Sequence, residues 1–115
     1  MSSQKRAAQA YGASANLRSL REQEADLFLR ANAALRQSRT QGAQPLTRAL
    51  IDTGRLWGTI VDLLRDPQNA LPDALKASII SVGLAVQREV QRPSPDIDFL
   101  ISVNENLAAG LSTAP

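Results

Sequence analysis

Apolar residues recur at three- and four-residue steps along most of this chain, and proline or glycine interrupts them at a few sharp points. Leu17, Leu20, Leu27, Phe28, Ala31 and Leu35, with Glu24 among them, predict an amphipathic helix from an N-cap at Ser14 to about Gln37. The following SRTQGAQP, residues 38–45, carries Gly42 and Pro45 and predicts a break. A second helix is predicted from Pro45 or Leu46 to Arg65. Its stripe is Leu46, Leu50, Trp57, Val61 and Leu64, widened by Leu56, Ile60 and Leu63. So broad an apolar face suits a central place in a bundle, or a second face offered to a partner. Gly54 and Gly58 each cost roughly 1 kcal/mol of helix propensity relative to alanine. Their four-residue spacing beside Trp57 points to close approach of another helix or to room for the indole.

Asp66-Pro67 ends that helix, because the residue before proline is pushed out of the α region. Gln68, Asn69 and Ala70 form a corner. Pro72 fits the first position of a third helix, and Asp73 brings a negative charge to its positive end. Leu75, Ile79, Val82, Val86 and Val90 form the third stripe, extended by Ile80 and Leu84, with Gly83 marking a tight crossing before the helix stops ahead of Pro93. In RPSPD, residues 92–96, Ser94 or Asp96 can cap a last helix, whose apolar face is Ile97, Leu100, Ile101, Asn104, Leu107, Ala108 and Leu111. Residues 1–12 read as a loosely ordered arm or a short extra helix, and residues 112–115 as a fraying tail. The expected architecture is all-α: one domain over residues 1–115, a small bundle of four main helices with room for a short N-terminal fifth.

Composition sharpens this picture. Aromatic residues make up only 3% of the chain against 43% apolar overall, so the core must be aliphatic, as suits helices better than sheet. The sequence contains neither Cys nor His, which removes thiol nucleophiles, disulfides, the usual zinc sites and imidazole acid–base chemistry together. No apolar run has the length of a signal peptide or a bilayer span, so the expectation is a soluble cytoplasmic protein.

Charge is uneven. Residues 1–40 hold seven basic residues and three acidic ones, and the remainder six basic and eight acidic, giving +4 and −2. Such an excess could serve RNA or an acidic partner, but acids are interspersed and only Tyr11 is at hand to stack on a base. Solvated helix faces are the commoner reading.

Catalysis finds little support. Asp62 and Asp66 lie one helical turn apart, yet with Arg65 between them they read as a solvated edge. No glycine-rich phosphate loop is present, and Lys76 and Ser78 do not face one another on a helix. Neither an enzyme nor a cofactor is expected. Trp57 reads first as a core anchor and second as the aromatic floor of a groove for a partner helix, and Tyr11, outside the strong periodicity, as a clasp or partner contact.

Leu56-Trp57, Asp62-Leu63, Asn69-Ala70-Leu71-Pro72, Leu75-Lys76-Ala77-Ser78 and Ile80-Ser81-Val82-Gly83 form an ordered set that resembles the alphaproteobacterial flagellar regulator family FlaF. Ala10-Tyr11-Gly12 and the acid-rich part of the first long helix resemble it too. The chain departs from the family pattern at Lys76, where arginine is usual, at Val82 in place of isoleucine, and at Ala85-Val86, where a bulkier residue is common. The resemblance implies a small helical cytoplasmic protein needed for flagellin production and secretion. It would be a flagellin-specific export chaperone, coupled to the translational regulator FlbT. Groove positions and motif positions together give an expected partner-binding set of Tyr11, Phe28, Leu56, Trp57, Asn69, Leu71, Ile80 and Leu84. The rival expectations are contact with flagellin mRNA through the basic helix 14–37, and a homodimeric structural bundle.

Overall fold

In a computed structural model of the chain, residues 25–113 are described, with side chains through residue 110. Four helices account for most of them: α1 over residues 25–41, α2 Ala43–Arg65, α3 Asp73–Val90 and α4 Ile97–Thr113. No strand occurs among the described residues, and the fold is the expected all-α bundle. The N-cap expected at Ser14 and the arm over residues 1–12 lie outside the described residues.

The eight-residue break expected after Gln37 is a single residue. Ser38 and Thr40 donate their hydroxyls back to the carbonyls of Leu35 (2.7 Å) and Gln37 (3.1 Å), and α1 runs on to Gln41. Gly42, at φ 111°, then reverses the chain, a conformation available to glycine at little cost. The first helix therefore ends later, and the second starts earlier, than their composition suggests. Pro45 is accommodated because the first turn of a helix leaves its N–H groups without intrahelical acceptors. Phe28 and Trp57, about equally far along the chain from Gly42, meet with ring centroids 5.4 Å apart in an edge-to-face arrangement, so α1 and α2 form an antiparallel hairpin.

The α2–α3 corner is built by side chains. Asp66 adopts an extended backbone before Pro67, and its Oδ1 accepts the N–H of Gln68 at 2.9 Å. Asn69 donates to the Leu63 carbonyl (3.3 Å) and accepts the N–H of Leu71 (3.0 Å), stapling the corner to α2. Pro72 stands one place outside the helix it was expected to open. With ψ 142° it is the N-cap, and its carbonyl accepts the N–H of Lys76 at 3.0 Å.

The glycines set how closely α2 and α3 cross. A Cβ on Gly83 would stand 2.5 Å from Cγ2 of Val61 and 3.2 Å from the Trp57 ring; one on Gly58 would stand 3.0 Å from the Gln87 amide, and one on Gly54 3.3 Å from Val90. The pairings 61 with 83, 58 with 87 and 54 with 90 describe a regular antiparallel register. The close approach expected at all three glycines is present. At the start of α4, Asp96 is the cap of the two proposed: its Oδ1 accepts the N–H of Phe99 at 3.0 Å, and its own N–H donates to Glu89 at 3.1 Å.

Helix α4 returns antiparallel along α1. Arg36 pairs with Glu105 and Arg39 with Asp98 across this boundary. Both pairs are largely exposed, so they set register more than stability, at about 0–1 kcal/mol each. Buried apolar residues from all four helices form one core, with Phe28, Leu35, Val86 and Leu100 fully enclosed and Trp57 nearly so. Helix α3 packs closely on α2 and touches α4 only sparingly. Among the described residues, no helix is long and apolar enough to cross a membrane.

Candidate functional site

The interior carries a chain of three polar side chains from three helices. The Trp57 indole N–H donates to Oδ1 of Asn104 at 2.7 Å; Asn104 Nδ2 donates to Oδ1 of Asn32 at 2.9 Å; Asn32 Nδ2 donates to the Ile101 carbonyl at 3.0 Å. Asn32 and Asn104 are fully buried and Trp57 nearly so. Each buried amide is acceptable only because the others pair with it. Together they fix the depth and rotation of α1 and α4 against α2, which aliphatic packing alone would leave less determined.

Above this network the surface opens. Because α3 and α4 diverge, one edge of Trp57 becomes the floor of a shallow groove of about 290 Å³. Its walls are Ser78, Ile79 and Val82 from α3 and Val103, Asn106 and Leu107 from α4. Val82 is 39% exposed, and Leu75, one turn before Ile79 on the α3 stripe, is 46% exposed. The groove is predominantly apolar and contains no ionisable side chain. It suits an apolar side chain or two from a docking helix, not a charged small molecule.

Residues 7–111, nearly the whole chain, match the family described as Flagellar protein FlaF. The chain belongs to the FlaF family. No curated protein and no solved structure is significantly similar to it. Membership makes this a flagellar protein.

Trp57 of the Leu56-Trp57 motif is both core anchor and groove floor. Asn69 of the Asn-x-Leu-Pro run builds the corner, and Leu71, two residues on, is 39% exposed. Leu56 and Ile80 pack partly buried against the core, and Leu84 is half-buried. Phe28 is wholly enclosed and lies against the indole, so it supports the groove from beneath and offers no face to a partner. Tyr11 lies outside the described residues. Of the seven expected positions that lie among the described residues, Trp57 alone lines the α3–α4 groove; Ile79, Val82, Val103 and Leu107 supply its walls instead. Ile79 and Val82 were legible as stripe positions, and Asn104 as a polar residue on an apolar stripe. Val103, off the α4 stripe, and Asn32, mid-helix in α1, left no such signal.

Proposed function

We propose that this FlaF family protein is a flagellin-binding export chaperone and a positive regulator of flagellin synthesis and secretion, acting in the cytoplasm by taking an apolar helical segment of flagellin into the α3–α4 groove. The observation that carries this reading is the apolar groove over Trp57, continued along α3 by exposed Leu75 and Val82. A filament subunit awaiting export exposes amphipathic helical ends, and a bundle with surplus apolar surface can mask them. Coupling to FlbT would then follow from occupancy: free and flagellin-loaded protein present different surfaces to a translational regulator.

The mRNA reading loses support at α1, where Arg36 and Arg39 are committed to Glu105 and Asp98. The test is calorimetry and gel filtration of the full chain with flagellin, using wild type and Val82→Glu. Wild type is expected to retain flagellin, and the variant to bind at least tenfold more weakly while keeping its helical circular dichroism. No retention by wild type would defeat the reading. A dimer of the protein alone that Val82→Glu dissociates would assign the face to self-association.

A further inference from the structure

A second groove lies away from Trp57, where the first half of α2 meets the end of α3 and the linker into α4. Its volume is about 870 Å³, and its apolar floor is Leu46, Leu50, Ile51, Val90, Pro93 and Pro95. Gly54 and Gly58 also line it and keep that floor low. Ile51 is 48% exposed, a large aliphatic residue standing in solvent at the groove's edge.

The charge on this groove has one sign. Arg55 and Arg92 line it and no carboxylate does. Arg92 donates to Glu89, which also holds the Asp96 N–H, whereas no ion pair among the described residues involves Arg55. Arg48, two turns before Arg55 on the adjoining face of α2, is likewise free of ion pairs, with Asp52 the one acid on that face. The first turn of α2 adds no acidic residue.

We propose that this groove docks an amphipathic helix of a second protein, one whose apolar stripe is flanked by glutamate or aspartate. A trough with an aliphatic floor, bordered by the Arg92 guanidinium and by that of Arg55, which no ion pair among the described residues engages, complements such a helix in apolar character and in charge. Nucleic acid is a poorer occupant, because the floor is aliphatic and no aromatic lining residue is present to stack on a base. The groove shares no lining residue with the one over Trp57, so this inference does not rest on the flagellin reading, and the two partners can be held at once.

The test is calorimetry of the full chain at about 50 mM salt, where exposed charges are weakly screened. The probes are two helical peptides of about five turns with one shared leucine stripe, flanked by glutamate in one and lysine in the other. The glutamate peptide is expected to bind and the lysine peptide not to. Arg55→Glu should weaken the glutamate peptide by about fivefold and improve the lysine peptide. Ile51→Asp should abolish binding of the glutamate peptide, while Val82→Glu, in the other groove, leaves it unchanged. Absence of heat with the glutamate peptide, equal affinity for both peptides, or indifference to Arg55→Glu would overturn the proposal. So would phosphatidylglycerol vesicles or an RNA oligonucleotide binding more tightly than the peptide in an Arg55-dependent way, or a dimer of the protein alone that Ile51→Asp dissociates.

Discussion

The indole N–H of Trp57 donates to Oδ1 of Asn104 at 2.7 Å, joining the middle of α2 to the middle of α4 inside a closed core. The bond gives the largest buried side chain a defined rotation, and the exposed consequence of that rotation is the groove between α3 and α4. Replacing Asn104 by Leu removes the acceptor of the indole and the donor to Asn32 at once. Two buried groups are then orphaned, and the expected loss is about 2–4 kcal/mol, read as a lower urea midpoint with an unchanged slope. The triple variant Asn32→Leu/Trp57→Phe/Asn104→Leu, in which no polar partner is stranded, is expected to recover most of that loss.

The glycines of the bundle divide by what surrounds them. Gly83→Ala would set a methyl 2.5 Å from Val61, so overpacking of about 1–3 kcal/mol outweighs the gain in helix propensity. Gly110→Ala, whose added Cβ meets no atom of the described residues within 4 Å, is expected to stabilise α4 by about 0.5–1 kcal/mol. Thermal unfolding of the two variants should move in opposite directions.

Thr53 is fully buried in α2, and among the described residues its hydroxyl has no hydrogen-bond partner. Thr53→Val removes the unsatisfied oxygen while nearly keeping the shape. Stability is expected to rise by about 1 kcal/mol; a fall in the melting temperature would contradict this account of the site.

Trp57 is the only tryptophan in the chain, and it floors one groove while lying outside the other. Intrinsic fluorescence should therefore report on the two surfaces separately. Flagellin seated over Ile79 and Val82 is expected to change the emission, and an acidic helix bound beside Arg55 to leave it constant.

Much of this architecture was legible in the residues themselves. Pro67, Pro72 and Pro93 bracket the corners because proline forbids particular backbone states, and the α2 and α3 stripes follow from burial at helical period. Gly54 and Gly58 announced close crossing or room for the indole, and Gly83 a tight crossing, because a glycine inside a helix costs propensity. The connection at Gly42 was obscured because serine and threonine, common loop residues, here bond back to carbonyls of their own helix. The Asn32–Asn104–Trp57 chain was hidden for a different reason. Its side-chain bonds span 47 and 72 residues of sequence, and no local pattern encodes which amide meets which. The groove walls followed from that register, so Trp57 could be singled out while Val103 could not.

The connection at Gly42 also bears on how many chains make one bundle. Helices α1 and α2 are joined by one residue with a positive φ, and straightening it would splice them into a continuous rod. Helix α1 would then be carried away from its own α4 and could lay Asn32 against the Asn104 of a neighbouring copy, with both buried hydrogen bonds of Asn32 remade between chains and the Trp57–Asn104 bond kept within each. A hairpin this short is a standing invitation to domain exchange. The backbone freedom of one glycine keeps the bundle within a single chain.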